Sequence, residues 1–169
     1  MDSMGLTDHV AAESLADLAR APEGLPPHNR VGPPRVMVVD DDQGFREMVR
    51  DWLGDEGMPV VAEAADGARA VDLARESSPD VILIDLRMPQ LNGIEAVRQI
   101  KGFLPATQVI MLSGFGDIAL QQAAEAVGVD SYLEKGCSPE LLWRTIRFAG
   151  TYKLGLQQEL EEQLPSPSR

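Results

Sequence analysis

The segment Val36-Met37-Val38-Val39-Asp40-Asp41-Asp42 decides the fold of this chain. Four consecutive apolar residues are typical of a strand buried on both faces of a parallel sheet. The pattern recurs where Val81–Ile84 precede Asp85 and where Val109–Leu112 precede Ser113. Ligands bind such sheets outside the carboxyl ends of the strands, so we expect these polar groups to meet in one crevice. Carboxylates so close repel one another unless some are protonated or a hard cation lies among them, and Mg²⁺ is the simplest candidate.

Amphipathic helical stretches alternate with these strands between Arg35 and about Ala149. Two further strands are expected, one at 60–62 and one at 131–134. Five strand-then-helix repeats in this order predict an α/β fold of (βα)5 type. Its core is a doubly wound, five-stranded parallel sheet.

Local signals support the predicted helices. The first helix presents one expected buried face, made of Phe45, Met48, Val49, Trp52 and Leu53. These positions follow the spacing of a helix that packs one side against a core. Ser138-Pro139-Glu140 predicts the start of the last helix, and Asp117 is a candidate N-cap for the fourth.

Composition limits the class of protein. The chain has 169 residues, a formal net charge of −12 and a single cysteine, Cys137. This length suits one well-buried domain with extensions. The acidic balance argues against a nucleic-acid partner, which requires clustered Lys and Arg. Neither a signal-peptide pattern nor a membrane-length apolar run is present, so we expect a cytoplasmic protein without membrane attachment.

The ends differ from the middle, which divides the chain into 1–34, 35–149 and 150–169. The first part combines a short helical pattern with a Pro/Gly-rich tether. A helical pattern with coiled-coil spacing runs from the middle part into the last part. Its positions are Leu142, Ile146, Ala149, Lys153, Leu156 and Leu160, and Gly150 and Gly155 interrupt it. Two alternatives follow, a homodimer or a linker toward an output domain. No basic helix-turn-helix follows, so we do not expect this chain to bind DNA.

Four fragments in order carry a family resemblance. They are Val-Val-Asp-Asp-Asp at 38–42, Ile-Asp-Leu-Arg-Met-Pro at 84–89 with Asn92-Gly93, Met-Leu-Ser-Gly at 111–114 and Tyr-Leu-Glu-Lys at 132–135. Over residues 35–149 the chain resembles the receiver domain of two-component response regulators. The resemblance implies a flavodoxin-like fold and a phosphorylation-dependent signalling switch rather than a turnover enzyme. One departure is Gly136, where many receivers have proline after the lysine.

The resemblance also assigns roles at the strand ends. It implies that Asp85 is the phosphoacceptor, which would take a phosphoryl group from the phosphohistidine of a kinase or phosphotransfer protein, or from a small phosphodonor. It implies that Asp40 and Asp41 hold Mg²⁺ together with the Asp85 carboxylate and the Arg87 backbone carbonyl. A positioned set of oxygens around a hard cation is what phosphoryl transfer requires.

Three further residues acquire roles in the same way. Lys135 and Ser113 would contact phosphoryl oxygens, the first as a cation and the second as a hydroxyl donor. Ser113 and Tyr132 would then pass the change to the surface, as the switch residues of a receiver. The output implied is contact with a downstream protein.

Two alternatives use some of the same residues. A phosphatase of the haloacid dehalogenase type would use Asp40-Asp41-Asp42, Ser113 and Lys135. Such an enzyme needs a further acidic pair on a strand after the lysine, and the later acids all fall on helical stretches. The other alternative is a pseudo-receiver that binds a partner without phosphorylation, against which the complete acidic set argues.

Overall fold

The computed structural model describes residues 32–88, 92–114 and 118–163, with the backbone alone at 118–120 and 152–163. Strands and helices alternate along this part of the chain. The strands are β1 (Val36–Val39), β2 (Val60–Ala64), β3 (Val81–Asp85), β4 (Gln108–Ser113) and β5 (Ser131–Glu134). The helices are α1 (Gln43–Asp55), α2 (Gly67–Ser77), α3 (Gly93–Phe103), α4 (Ile118–Ala126) and α5 (Pro139–Gln163).

The five strands form one parallel sheet in the order β2-β1-β3-β4-β5. In its register Val39, at the end of β1, pairs with Ala64 on one side and with Ile84 on the other. The chain leaves β1 toward β2 and returns to β3 on the other side, so the strand order reverses between β1 and β3. This confirms the predicted doubly wound sheet and places a crevice at the carboxyl ends of these two strands.

Both faces of the sheet are buried. On β1, Met37 and Val39 belong to one apolar cluster and Val36 and Val38 to another, because successive side chains of a strand point to opposite faces. Helices α2, α3 and α4 contribute side chains to the first cluster. Helices α1 and α5 contribute side chains to the second. Continuous apolar strands therefore report a sheet covered on both sides, as the sequence predicted.

Helix α1 packs with a narrower face than the sequence indicated. Val49 and Leu53 are fully buried, and Phe45 and Trp52 are half-buried against the same cluster. Met48 is 37% exposed, so the prediction that it belongs to the buried face was wrong. At about 100° per residue, Met48 lies that far around the helix from Val49, at the edge of the stripe that reaches the sheet.

Helix α5 begins as predicted. The Leu141 backbone N–H donates to Ser138 Oγ at 3.2 Å, and Pro139 is the first helical residue. The helix then runs without a break through Gly150, so the predicted boundary at 149 falls within it. A Cβ on Gly150 would lie 2.5 Å from Pro34 Cβ, which shows that this glycine permits a close approach of two segments.

The proposed coiled-coil seam is used partly by the domain itself. Its first three positions, Leu142, Ile146 and Ala149, are buried in the second apolar cluster. They contact the sheet and are not available to a partner helix. The side chains of the remaining three positions lie outside the described residues, as do the helical pattern at 6–18 and the candidate N-cap Asp117. In the part of the chain that is described, no helix combines the length and apolarity needed to span a membrane.

Candidate functional site

The polar residues predicted to converge do so at the carboxyl edge of the sheet. Asp40 directly follows β1, Asp85 and Ser113 are the last residues of β3 and β4, and Lys135 directly follows β5. Asp40 and Asp85 therefore flank the point where the strand order reverses. Parallel strands that end at one edge explain why residues nearly one hundred positions apart in sequence share one crevice.

Asp40 is fully buried. Its backbone N–H donates to the Ala64 carbonyl at 3.0 Å, which continues the β1–β2 ladder by one residue. Its Oδ1 accepts the Asp42 backbone N–H at 2.9 Å. Its Oδ2 forms an ion pair with Lys135 Nζ at 2.7 Å. A carboxylate oxygen has two lone pairs, so Oδ2 keeps capacity for another ligand.

Lys135 is the cation of the site. Its Nζ lies 2.7 Å from Asp40 Oδ2 and donates to Asp85 Oδ2 at 3.0 Å. The Lys135 backbone N–H donates to the Ser113 carbonyl at 2.7 Å and so ties the loop after β5 to the end of β4. The ring of Phe45, on α1, covers the ammonium at 4.9 Å from its centroid. Two carboxylates and an aromatic face thus hold one ammonium in the crevice.

Burial and charge act in opposite directions on this pair. Burial raises the pKa of Asp40 above its ordinary value, because the loss of solvation outweighs the stabilising contacts from Lys135 and the Asp42 N–H. Burial by itself would lower the pKa of Lys135, but its contacts with Asp40 and Asp85 outweigh this and raise it. The two pKa shifts differ in their dominant cause because Asp40 is fully buried, whereas the Lys135 side chain is 28% exposed and keeps part of its hydration.

Three carboxylates form a group of suitable size for a metal ion. Asp40, Asp41 and Asp85 each offer a carboxylate oxygen, and these atoms all lie within 4.8 Å of one another. Asp41 is exposed while the other two are buried, so the group opens to solvent on one side. Together with the free capacity of Asp40 Oδ2, this all-oxygen donor set fits a small hard cation such as Mg²⁺.

Asp42, the third acid of the run, has a different role. Its side chain accepts the Phe45 backbone N–H at 3.2 Å and caps the N-terminus of α1. Capping satisfies one of the four backbone donors that begin a helix without a partner. Asp42 is therefore a neighbour of the acidic group and is absent from the three carboxylates that cluster.

The fragment after Asp85 contacts the end of β3. The Arg87 backbone N–H donates to Asp85 Oδ1 at 3.3 Å, and Asn92 Oδ1 caps α3 by accepting the Glu95 backbone N–H at 2.9 Å. A Cβ on Gly93 would lie 2.4 Å from the Asp85 carbonyl oxygen, so glycine is required where α3 contacts the end of β3. This role was not predicted. Pro89 lies outside the described residues.

Ser113 and Tyr132 lie where the sequence placed them, but with contacts it did not predict. Ser113 is buried, and its Oγ donates to the Gly114 carbonyl at 2.9 Å rather than to a group of the acidic cluster. The Tyr132 ring packs against the first apolar cluster, and its hydroxyl is buried without a hydrogen-bond partner among the described residues. Each hydroxyl thus holds a position that a new partner could change.

Arg46 was missed by sequence reasoning. This α1 residue donates from Nη1 to the Asp40 carbonyl oxygen at 2.6 Å. Its position on a helix surface gives no sign of that contact, because an arginine there is usually a solvated charge. A possible signal was its place four residues after Asp42, on the first turn of the helix that follows the acidic run.

The residues after Lys135 include a glycine, a cysteine and the last helix. Gly136 has φ +105°, in the left-handed region that proline cannot adopt, so the Lys-Gly sequence matches the loop's conformation. Burial raises the pKa of the Cys137 thiol, so less of it is the reactive thiolate at neutral pH. The described residues after Lys135 form this loop and α5 and contain no strand, so the acidic pair that a dehalogenase-type phosphatase needs has no place in them.

Comparison with known proteins agrees with this geometry. The family model for the response regulator receiver domain matches residues 36–147. The chain is similar to the chemotaxis protein CheY of Bacillus subtilis, with 37% identity over 60% of this chain and 84% of that protein. It is similar to the nitrate/nitrite response regulator protein NarP of Escherichia coli, with 40% identity over 68% of this chain but only 54% of NarP.

Solved structures agree as well. The receiver fold matches a LuxR-family two-component response regulator from Aurantimonas with a TM-score of 0.67 and 31% identity, covering 78% of this chain and 98% of that one. It matches the chemotaxis protein CheY4 of Vibrio cholerae with a TM-score of 0.65 and 32% identity, covering 70% and 99%. With the strand order and the converging aspartates and lysine, these matches show that the chain belongs to the response regulator receiver domain family.

Proposed function

We propose that Asp85 is the phosphoacceptor of this receiver and that its phosphoryl group comes from the phosphohistidine of a histidine kinase or phosphotransfer protein. One observation carries the proposal. The Asp85 carboxylate, at the end of β3, contacts Lys135 at 3.0 Å and lies within 4.8 Å of the carboxylate oxygens of Asp40 and Asp41. A nucleophile, a cation and a metal-binding acidic pair are the parts that phosphoryl transfer needs.

The phosphoryl transfer needs no reactant other than the Asp85 carboxylate and the phosphohistidine. An Asp85 carboxylate oxygen forms a bond to phosphorus while the bond between phosphorus and the imidazole nitrogen breaks. The nitrogen keeps the electron pair, and the product on this chain is an acyl phosphate. Since both reacting groups are negatively charged, the protein's main contribution is positioning and charge compensation rather than covalent chemistry.

Asp40 and Asp41 are proposed to hold Mg²⁺, with the Asp85 carboxylate and the Arg87 carbonyl as further oxygen donors. When bound, Mg²⁺ supplies positive charge beside the carboxylate and the phosphoryl oxygens. Asp40 contributes a buried oxygen with unused capacity, and Asp41 contributes an exposed one at the solvent side. The Arg87 backbone N–H already orients the Asp85 carboxylate through Oδ1.

Lys135 and Ser113 are proposed to bind the phosphoryl group. The Lys135 ammonium already touches the Asp85 carboxylate and would keep one contact there while it donates to a phosphoryl oxygen. Ser113 Oγ would have to give up its bond to the Gly114 carbonyl to donate to phosphate. That exchange would move the start of the loop after β4.

Tyr132 is proposed to report that movement. Its hydroxyl is buried without a hydrogen-bond partner among the described residues, and such a loss costs about 1–3 kcal/mol relative to a satisfied hydroxyl. Its ring gains apolar contacts in the same position. A displacement of the Ser113 loop that changes either of these opposing terms would therefore shift the position of the Tyr132 ring.

Receiver domains of this family interact with histidine kinases and with downstream effectors, and their role is that of a signalling switch. For this chain we propose output through protein contact, with autocatalysed phosphorylation and a cytoplasmic location. Some relatives are named transcriptional regulators, such as LnrK of Bacillus subtilis, of which the chain covers 60%. The net charge of −12 favours a protein target over DNA for the chain itself, and a homodimer through its C-terminal extension stays a prediction.

The test is intact mass spectrometry after incubation with acetyl phosphate and Mg²⁺. We expect the mass of one phosphoryl group on the wild type and none on Asp85→Asn or after chelation of Mg²⁺. Asp42→Asn is the matched control, because asparagine also caps helices and Asp42 lies outside the carboxylate group. An adduct that persists in Asp85→Asn, or none on the wild type, would refute the proposal. Beryllofluoride that fails to bind as well would favour a pseudo-receiver.

A further inference from the structure

We propose that Arg46 is a positioning residue that fixes the peptide between Asp40 and Asp41 and so sets the two carboxylates that receive the cation. This inference rests on the proposed function, since it concerns the same acidic site. Arg46 Nη1 donates to the Asp40 carbonyl oxygen at 2.6 Å, a short contact for a hydrogen bond of this kind. A guanidinium donor makes it charge-assisted and stronger than a neutral bond.

The contact acts at the link between the two acids. A peptide unit is planar, so holding the Asp40 carbonyl also fixes the plane of the Asp41 N–H. The Asp40 side is fixed independently, by its N–H to the Ala64 carbonyl and by its Oδ1 to the Asp42 N–H. Asp41 is exposed and has no comparable packing. Its direction therefore depends on its two flanking peptides, of which Arg46 holds the first and the bond from the Asp42 N–H to Asp40 Oδ1 holds the second.

Arg46 is itself held in place. Its side chain is only 16% exposed, and Nε lies 3.9 Å from Glu63 Oε1 on β2. The planar guanidinium can thus face Glu63 and the Asp40 carbonyl at once, which a lysine ammonium cannot do with the same geometry. Glu63 also pairs with Arg50 Nη1 at 3.0 Å. Arg50 shares the carboxylate of Glu63 but has no contact with Asp40 in the structure, which makes it a matched control.

Position and charge predict opposite effects on cation binding. As a charge, Arg46 would repel Mg²⁺, and its removal would tighten binding. As a positioning group, its removal would weaken binding, because Asp41 would no longer be held in register with Asp40. The Glu63 carboxylate, which Arg46 shares with Arg50, offsets part of the positive charge, and we expect the positional effect to dominate; Arg50→Met shows what the loss of one cation from the same cluster does by itself.

The first experiment is calorimetric titration of the phosphoryl-free protein with Mg²⁺. Substitutions that remove hydrogen bonds supporting metal ligands typically weaken metal affinity by about 10- to 100-fold. For Arg46→Met we expect the lower end, about a 10-fold increase in Kd, since the contact is to backbone rather than to a ligating oxygen. Arg50→Met should bind as the wild type does, and Arg46→Lys should lie between Arg46→Met and the wild type because it keeps a donor for the carbonyl.

A second readout needs no metal. In the metal-free protein the backbone N–H of Asp42, bonded to Asp40 Oδ1, should exchange with solvent faster in Arg46→Met than in Arg50→Met. Free methylguanidinium added to Arg46→Ala should restore Mg²⁺ affinity, whereas sodium chloride at the same ionic strength should not. These readouts separate a local placement from a general loss of stability.

The outcomes are distinct. Wild-type or tighter Mg²⁺ binding by Arg46→Met overturns the inference, as does an equal loss in Arg50→Met. If Arg46→Met does not fold, wild-type affinity in Arg46→Ala without methylguanidinium overturns it in the same way. If the wild type itself binds no Mg²⁺, the proposed function fails, while unchanged Asp42 exchange in Arg46→Met refutes the positioning role independently.

Discussion

Replacing Gly93 by alanine tests whether the contact between α3 and the end of β3 positions Asp85, the proposed phosphoacceptor. Gly93 is the first residue of α3, directly after the Asn92 cap. A Cβ there would lie 2.4 Å from the Asp85 carbonyl oxygen and 3.3 Å from both the Asp85 carbonyl carbon and Leu86 Cα. All three atoms belong to the backbone, so no side-chain rotation can relieve the clash.

The size of the effect follows from that distance. Ordinary contacts begin at 3.4 Å, so the backbone segments must separate by about 1 Å. Overpacking of this kind costs about 1–3 kcal/mol, and we expect the upper half of that range because the contact is with backbone. A displacement of about 1 Å at a reacting group can reduce the rate by about 100-fold. We expect Gly93→Ala to lower the phosphorylation rate constant by about 10- to 100-fold at saturating Mg²⁺.

Urea denaturation followed by circular dichroism gives the free energy of unfolding, and mass spectrometry gives the rate with acetyl phosphate. Gly102→Ala is the control within the same helix, because Gly102 is exposed and a Cβ there meets no atom within 4 Å. Alanine is favoured over glycine in helices by up to about 1 kcal/mol, so Gly102→Ala should be as stable as the wild type or more so. Its phosphorylation rate should be unchanged.

The reasoning is refuted if Gly93→Ala unfolds at the wild-type urea concentration and takes up phosphate at the wild-type rate. A loss of stability with an unchanged rate would also contradict it, because the clash would then have been absorbed by α3 alone. The added Cβ should move β3 and Asp85, since its nearest atom is the Asp85 carbonyl oxygen itself.

Three further predictions concern stability and reactivity. Burial raises the pKa of Asp40, so the folded metal-free protein binds the proton of the Asp40 carboxyl group more tightly than the unfolded chain does. The stability of the protein therefore falls as pH rises from about 4 through the raised pKa. Asp40→Asn should lack that decline in thermal melts. Tyr132→Phe should raise the free energy of unfolding by about 1 kcal/mol in urea, because it removes an unpartnered buried hydroxyl, and a loss of stability would contradict this. Because burial raises the pKa of Cys137 above the ordinary thiol value of 9.0, its labelling by a thiol reagent should reach half of its maximum rate only above pH 9.0; a midpoint at or below that pH would contradict the shift.

Much of the fold could be predicted because the apolar runs of the strands and the capping residues of the helices are both local signals in the sequence. Each buried strand is a continuous apolar run, and Val81–Ile84 lacks only the final Asp85 of the observed β3. The start of α5 was also predictable, since capping by Ser138 depends on neighbouring residues alone. Met48 was misplaced because helical periodicity gives an angular position but does not show how wide a stripe the sheet can cover.

The same distinction between local and non-local signals applies to the site residues. Asp40, Asp85, Ser113 and Lys135 were predictable because each ends or follows a strand, and parallel strands bring such ends together. Their individual bonds were not. The contact of Ser113 Oγ with the Gly114 carbonyl depends on a side-chain rotation that the sequence does not determine. The role of Gly93 depends on how closely α3 approaches β3, which is set by the packing of the whole first cluster.

Counting charges at the site links phosphorylation to movement. The carboxylates of Asp40, Asp41 and Asp85 face one ammonium, that of Lys135, which leaves two negative charges for a divalent cation to balance. The proposed phosphorylation of Asp85 would replace one carboxylate by a group of about −2 charge, so a site balanced by a divalent cation would gain one negative charge and several acceptor oxygens. Lys135 would then divide its donors among more acceptors, and the Ser113 hydroxyl is the further donor that we propose. Because that hydroxyl is bonded to the Gly114 carbonyl, recruiting it requires the loop after β4 to change, and Tyr132 packs on the neighbouring strand, where its position can respond.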